Sequence, residues 1–424
     1  MRLPRLASLL LLALAALPLH AQTARPRARD LGITFGGTAG THNAITDVAG
    51  VEVGHTTLIR GEGKLVAGRG PVRTGVTAIL PRGRTSTEQV FAATYALNGN
   101  GEMTGTIWID ESGMLAGPVM ITNTHSVGVV RDAVVEWAVQ RNEDLAFSLP
   151  VVAETYDGFL NDINGFHVTK AHAFAALEGA RGGAVAEGSV GGGTGMICHQ
   201  FKGGIGTASR KLPAERGGYT VGVLVQCNYG SRRLFSVEGV PLGEELRDVR
   251  GCRVGEGPGA NPMIRLQPCP AGAPKQGAAA PRGRPEGNMP EGMGSIVVVV
   301  ATDAPLLPHQ LERIARRVPL GIGKMGGLGE NSSGDIFLAF STQPVTPTGD
   351  SAAVATAPAT VSRVGMLDND AMDPLFEAAV QATQEAILNS MLASDTMTGA
   401  DGVRIPGLPA ERLVAAMRKH GRLK

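Results

Sequence analysis

The stretch "EGMGSIVVVVATDAPLLPHQ", Glu291 to Gln310, joins two kinds of sequence. Upstream, Arg250 to Gly294 is dominated by Gly, Pro and Ala and holds little to bury, as a loose, solvent-exposed linker would. Downstream, Ile296 to Val300 is an unbroken β-branched run. Such residues favour extended backbone. An apolar run without alternation reads as a strand covered on both faces, so layers are needed on each side of it and the fold class is α/β in layers. "LPHQLERIARRV" then reads as a helix entered at Pro308, and "DIFLAFST" as a second buried strand. "MDPLFEAAVQATQEAILNSML" reads as a long helix with Asp373 as N-cap, Pro374 in its first turn, and Leu375, Ala379, Ala382, Ala386 and Met391 at helical spacing.

The region before the linker is built of shorter pieces. "NAITDVAGVEVGHTTL" alternates turns with β-type runs, and "GVTAIL" is a strand closed by Pro81-Arg82-Gly83. "TGTIWID" and "GPVMITNTHSVGVV" follow, and Arg131 to Gln140 has helical periodicity. "LPVVAETYDG" is a short strand that runs into a polar turn, Lys170 to Glu178 is a helix, and "YTVGVLVQCNYG" is a strong buried strand. Ala410 to Lys419 is a last, short helix. No period of 20–50 residues repeats.

Composition narrows the function. The net charge is +1 without a long basic block, which argues against nucleic acid as a partner. Glycine is abundant, 59 of 424 residues, and aromatics are only 4%, so the core must come from Val, Ile, Leu and Ala with many tight turns. Arg2 and Arg5, the Leu/Ala run Leu9 to Leu17, and a small residue at Ala21 read as a signal peptide over residues 1–21. Its apolar part is shorter than the roughly 20 residues of a membrane span. The mature protein is therefore expected to be periplasmic or secreted, with no membrane association after signal removal.

The four cysteines form no C-x-x-C pair, and the nine histidines show no zinc-binding spacing, so no metal and no cofactor are expected. Cys252 and Cys269 bracket one segment and are either bridged or free. Cys198 and Cys227, in apolar surroundings, read as buried thiols. No serine sits in a G-x-S-x-G elbow and no S-x-x-K occurs. "VGGGTG", Val190 to Gly195, lacks the G-K-[ST] ending of a phosphate loop and reads as a structural turn. His55, His125 and Asp47 read as structural.

What remains is Gly294-Ser295. A serine hydroxyl can attack the preceding carbonyl, and water can cleave the resulting ester. Glycine before the serine admits the backbone geometry that this attack needs. The product is an N-terminal serine whose α-amine, with an ordinary pKa near 7.7–8.0, suits it to act as the base for its own hydroxyl. On these cues alone, Gly294-Ser295 is either a self-cleavage site or a plain boundary between loop and strand.

"GSIVVVVATDAPLLPHQLERIARRVPLGI", "NSSGDIFLAFST", "VVAETYDGFLNDINGFHV", "VLVQCNYG" and "NAITDVAGVEVGHTTL" occur in order. Together they resemble the self-processing aminopeptidase family of the L-aminopeptidase/D-amidase-esterase and the β-peptidyl aminopeptidases, from about Arg29 to about Gly402. The resemblance implies a four-layer αββα sandwich like that of N-terminal-nucleophile hydrolases, with different connectivity. It implies cleavage at Gly294-Ser295 into chains 22–294 and 295–424 within one structural domain, Ser295 being the nucleophile of a serine aminopeptidase. Ser333 and Asp335 in "NSSGD" match the supporting serine and carboxylate, the latter being glutamate in some relatives. Asn228 in "QCNYG" matches the oxyanion amide. Tyr156 and Glu154 in "AETYDG" match positions facing the substrate, Glu154 to receive its free ammonium. Outside the resemblance, Ser333 reads first as a turn serine before a strand, Asn228 either as a preorganised amide donor at a strand end or as a turn residue, and Glu154 and Tyr156 either as site residues or as solvated loop groups.

The implied substrate is a small peptide or an aminoacyl amide or ester, of the L-α, D-α or β class. The implied assembly is a homo-oligomer, commonly a tetramer, of processed heterodimers. The segment before Ser295 is longer and richer in proline than the family's usual linker, and Cys252 and Cys269 within it match no family role. The rivals are an acyltransferase like ornithine acetyltransferase, which uses threonine as its new N-terminus, and a non-catalytic exported binding protein.

Overall fold

Eight consecutive residues, Ser295–Thr302, form a strand in which every side chain is buried. The computed structural model describes residues 25–142, 147–255, 259, 261, 264–270, 292–345 and 364–424. The signal-peptide reading and most of the Pro/Gly-rich linker lie outside them.

Two sheets carry the fold. One contains β1 (Glu52–Arg60), β2 (Val72–Leu80), β5 (Val119–Asn123) and β6 (Val151–Thr155), in the order β1-β2-β5-β6. The other contains β3 (Val90–Ala96), β4 (Met114–Leu115), β9 (Gly204–Lys211), β10 (Thr220–Asn228), β12 (Ser295–Thr302) and β13 (Asp335–Ser341). Its order is β4-β3-β13-β12-β10-β9. Two ribbons complete the described strands. One pairs β7 (Ile197–Cys198) with β8 (Phe201–Lys202). In the other, β15 (Val403–Ile405) lies between β11 (Cys252–Arg253) and β14 (Met397–Thr398).

The β-branched run of β12 explains the layering. Val297, Val299 and Ala301 point into a cluster shared with Ile79 of β2, Ile121 of β5 and Ala153 of β6, which joins the two sheets face to face. Ile296, Val298 and Val300 point the opposite way, into a cluster with Leu375, Ala379, Ala382 and Ala386 of helix Asp373–Leu392. A third cluster covers the far side of the four-stranded sheet, where Val76, Ala78, Met120 and Val152 meet Val130 and Val134 of helix Val127–Arg141 and Ala176 of helix Lys170–Glu178. The layers are therefore helix, sheet, sheet, helix. Each buried Val or Ile contributes about 1.5–3 kcal/mol, so a strand covered on both sides is fixed more firmly than one with a wet face.

Local departures from the sequence expectations have identifiable causes. Met372, not Asp373, is the N-cap of the long helix; Asp373 lies in its first turn, where a carboxylate favours the positive end of the helix dipole. "TGTIWID" forms helix Thr106–Ser112, which leaves Ile107 and Trp108 exposed. Strands β3 and β9 are built from Ala, Ser, Thr and Gly as much as from Val and Ile, so they carry little β signal. Cys198 and Cys227 are not thiols but a disulfide, with Cα atoms 5.6 Å apart. Cys252 and Cys269 are also bridged. Where it is described, the segment after Arg250 is pinned rather than loose: Cys252 and Arg253 pair with Arg404 and Val403, and Ile264 is buried.

One buried ion pair ties helix Asp373–Leu392 to the edge strand β9. Arg210 and Glu385 are fully buried, 2.8 Å apart, and Arg29 adds a second contact to Glu385 at 2.9 Å. Glu385→Gln keeps the shape and leaves Arg210 buried without its counter-charge. The expected loss is about 3–5 kcal/mol of unfolding free energy by urea titration; a loss below about 1 kcal/mol would show that the pair does not hold the helix.

Candidate functional site

Strand pairing brings Asn228, Ser295 and Asp335, with Ser333 just before β13, to one end of the six-stranded sheet, while Glu154 and Tyr156 come from the end of β6 in the four-stranded sheet. In the antiparallel register of β10 and β12, Asn228 lies opposite Ser295. In the parallel register of β12 and β13, Ile296 lies opposite Asp335. Ser295, Asn228, Ser333 and Asp335 are all at most 5% exposed.

The Ser295 hydroxyl oxygen accepts the Gly334 N–H at 3.0 Å. The Ser333 hydroxyl donates to Asp335 Oδ1, and the same oxygen accepts the Ile296 N–H at 3.3 Å. Asp335 Oδ2 is buried with no hydrogen-bond partner among the described residues. Burial pushes the Asp335 carboxyl up to about 6, against the opposing pull of its bonds from Ser333 and the Ile296 N–H.

Immediately upstream the backbone has little choice. Gly294 has φ +120°, a conformation that residues with a Cβ rarely adopt, and a Cβ there would lie 1.8 Å from the Asn228 carbonyl oxygen. The Asn228 amide is held from both ends, its Oδ1 accepting the Ile197 N–H at 2.8 Å and its Nδ2 donating to the Tyr156 carbonyl at 3.0 Å. Among the described residues Nδ2 makes no second bond, and the nitrogen is close to Gly294, since a Cβ there would lie 3.5 Å from it. The loop after Glu330 grips the other side, with Ser332 Oγ donating to the Gly292 carbonyl at 3.1 Å.

Glu154 is the last residue but one of β6 and is 5% exposed. Its Oε1 accepts the Glu102 N–H at 3.0 Å, and its Oε2 accepts the Thr124 hydroxyl. A Cβ at Gly101 would lie 3.1 Å from Gly334 Cα and 3.3 Å from Glu154 Oε1, so this carboxylate is a neighbour of the peptide that holds Ser295. Burial raises its pKa, and the Thr124 and Glu102 hydrogen bonds oppose the rise. The Tyr156 ring is half-buried and packs edge-on against Phe159, with centroids 5.4 Å apart. Burial raises the pKa of its phenol too, with Asp157 adding to the effect.

Sequence reasoning missed the residues that fix this loop. Asp335 N donates to Asn98 Oδ1 at 2.6 Å, Asn98 Nδ2 donates to the Glu330 carbonyl at 3.0 Å, and Asn100 Nδ2 donates to the Ser332 carbonyl at 2.9 Å. The available signal was "NGNG", Asn98 to Gly101, where Asn alternates with Gly as in segments that bond backbone through side-chain amides. Thr124, on Glu154, carried no signal. His55 bonds Thr77 Oγ1 at 3.0 Å across the β1–β2 pair, and Asp47 accepts from Ser209 and two backbone N–H groups; neither bonds Ser295, Asn228, Ser333 or Asp335.

Arranged this way, the site offers a buried hydroxyl, an amide donor, a carboxylate with one free oxygen and a second carboxylate at hand. Gly294→Ala should drive Asn228 from its place opposite Ser295. Loss of hydrogen-exchange protection at the Ile197 N–H and a drop of about 1–3 kcal/mol in stability are expected. Unchanged protection would show that the backbone tolerates the Cβ.

A model of Peptidase family S58 matches residues 43–405. A beta-peptidyl aminopeptidase, BapA of Sphingosinicella microcystinivorans, is 52% identical over 403 residues, covering 94% of this chain and 93% of that protein. Among solved structures, a Burkholderia sp. beta-aminopeptidase aligns with a TM-score of 0.77 at 46% identity, over 93% of this chain and 99% of the other. An L-aminopeptidase D-Ala-esterase/amidase from Ochrobactrum anthropi, described as a prototype for the serine aminopeptidases and a new variant of the Ntn hydrolase fold, aligns with a TM-score of 0.78 at 43% identity, over 94% and 100%.

Proposed function

The chain belongs to peptidase family S58 and is a serine-type aminopeptidase of the Ntn hydrolase fold; from that premise we propose that it cuts itself between Gly294 and Ser295 and then uses Ser295 as an N-terminal nucleophile. The observation that carries the proposal is the position of Ser295. It is the first residue of a strand buried on both faces, with its Oγ on the Gly334 N–H and Asn228 opposite.

Self-cleavage then runs as an N-to-O acyl shift. Ser295 Oγ attacks the Gly294 carbonyl carbon; the C–O bond forms, the C–N bond breaks, and the hydroxyl proton ends on the Ser295 nitrogen. The remaining N–H of Asn228 Nδ2 meets the charge developing on the carbonyl oxygen, an interaction whose loss typically costs about 10²–10³ in rate. Water adds its hydroxide to the ester carbon and returns a proton to Oγ, leaving a Gly294 carboxylate and a Ser295 ammonium. The free Oδ2 of Asp335 supports a place for that ammonium, next to the Ile296 N–H already bound by Oδ1.

With substrate, Oγ attacks the acyl carbonyl while the deprotonated α-amine of Ser295 takes the hydroxyl proton and passes it to the leaving amine. Water then hydrolyses the acyl ester. Glu154, buried and next to Gly334, receives the ammonium of the incoming residue. Burial that raises its pKa also strengthens its charge pairing once the ammonium arrives. Ser333, through Asp335, orients the new amine. Substrates with a free amino terminus are supported in the β-aminoacyl class by the 52% identity to a beta-peptidyl aminopeptidase and in the α-aminoacyl class by the 43% identity to an L-aminopeptidase D-Ala-esterase/amidase.

Two disulfides fit an oxidising compartment and, with the leader-like residues 1–21, support export. The adjacent exposed Ile107 and Trp108 support assembly of processed pairs into a homo-oligomer.

Denaturing gel electrophoresis of the purified protein should show two bands, the smaller with the N-terminus Ser-Ile-Val-Val, and Ser295→Ala should show one. A single stable band for the wild type sinks the proposal. The cleavage rate should also depend on pH in a defined direction. Asp335, with its pKa raised to about 6, is charged above that pH and protonated below it. Only the carboxylate carries the charge that stabilises the Ser295 nitrogen as it gains a proton and leaves the Gly294 carbonyl, so the rate should fall about tenfold per unit below pH 6. A flat rate from pH 5 to 7 would remove Asp335 from the chemistry. Glu154→Gln should raise KM for an aminoacyl-p-nitroanilide at least tenfold while self-cleavage persists; an unchanged KM would place the ammonium elsewhere.

A further inference from the structure

We infer that the loop of residues 330–334 carries a clamp that serves maturation alone. Ser332 and Glu330 hold Gly292, two residues before Gly294, so that the Gly294 carbonyl stays beside the Ser295 hydroxyl until the chain is cut. The inference rests on the self-cleavage reading above.

Downstream of the cut, Ser295 is fixed by its strand. Upstream, residues 292–294 belong to no strand or helix, and rotation about the Gly294 backbone would carry its carbonyl away from Oγ. Two contacts at Gly292 oppose that rotation. Ser332 Oγ donates to the Gly292 carbonyl at 3.1 Å. The Glu330 side chain packs on the same residue, since a Cβ at Gly292 would lie 2.9 Å from Glu330 Cγ and 3.4 Å from its Cδ. Gly292 itself has φ +68°, where a residue with a Cβ would be strained. It is therefore shaped to pass under the loop, and a side chain there would push against Glu330.

The same loop holds the other reactant. The Gly334 N–H lies on Ser295 Oγ at 3.0 Å, so the attacking oxygen and the segment that carries the carbonyl are both held by residues two positions apart. The loop is itself braced. Ser333 N donates to the Glu330 carbonyl at 2.9 Å, Asn100 N donates to the Ser333 carbonyl at 3.2 Å, and Asn100 Nδ2 donates to the Ser332 carbonyl at 2.9 Å. Two groups held in one rigid frame react as a preoriented pair. In turnover the two halves of the frame part company. The aminoacyl residue of a substrate stands where Gly294 stands, with its ammonium in the place of the Gly294 nitrogen, and it has no atoms in the places of Met293 and Gly292. Ser332 then has nothing to hold, whereas Gly334 still holds Oγ.

The test follows the full chain after cell-free translation. A gel time course gives the rate at which one band becomes two, and the finished enzyme then gives kcat/KM on an aminoacyl-p-nitroanilide per mole of smaller chain. Ser332→Ala should slow maturation about tenfold and leave kcat/KM within about twofold of the wild type. Ser332→Thr keeps the hydroxyl and should restore the maturation rate to within about threefold. Gly292→Ala alters the other partner of the clamp and should also slow maturation with turnover unchanged. Maturation of Ser332→Ala at the wild-type rate overturns the clamp and leaves the self-cleavage reading standing. So does a parallel fall in kcat/KM, which would show that Ser332 merely shapes the site. Should Ser332→Ala stay wholly uncut, Gly292→Ala decides: delay with wild-type turnover supports the clamp, and no delay overturns it. A wild-type chain that stays uncut overturns the reading and the clamp together.

Discussion

Pairing of β12 with a neighbour on each side, and its burial on both faces, is the constraint on which the rest of the molecule depends. The β-branched run Ile296 to Val300 can satisfy its backbone only in a sheet and its side chains only between two layers. Once it is placed, Ser295 has no freedom left: its backbone is set by the register with Asn228, and its hydroxyl by the Gly334 N–H. A reactive group on a loop would have to be ordered at each turnover. Here the ordering is done by folding, and the layers supply the rigidity that close positioning of reacting atoms demands.

The polar residues around Ser295 show the opposite economy. Asp335, Glu154 and Asn228 are buried where an unpaired polar group is costly, and each is held by backbone N–H groups, carbonyls or neutral side chains rather than by a fixed counter-ion. That leaves the carboxylates with electrostatic demand unmet, visible in the raised pKa of both Asp335 and Glu154. Two ammonium groups, one from the chain's own new terminus and one from a substrate, would answer that demand in different places.

The layered class, the central strand and the long helix were legible in the sequence because each is a sustained apolar pattern of one period. The site was legible only in fragments. Gly294-Ser295 stands out by its position, whereas Ser333 and Asp335 in "NSSGD" look like any polar turn and gained meaning from the resemblance alone. Asn98 and Asn100 were out of reach because they act on residues more than 230 positions away, across a strand pairing that no local pattern encodes. The Cys198–Cys227 bridge was hidden for a related reason: both cysteines sit among buried apolar neighbours, where a thiol is equally at home. Ile264 was masked by the glycines and prolines around it.

The strand order of the larger sheet carries one more consequence. β12, which begins at Ser295, and β13 are adjacent in the middle of the sheet; β3 and β4 flank them on one side, β10 and β9 on the other, and all four precede Gly294. The proposed cut after Gly294 would therefore divide the polypeptide without dividing the sheet. Neither fragment would own an intact sheet or a complete core, so neither could leave without unzipping ladders on two sides at once. The fragments would be bound as interlocked halves rather than as partners meeting at a surface. Dilution, which separates ordinary subunits, has no face here along which to act.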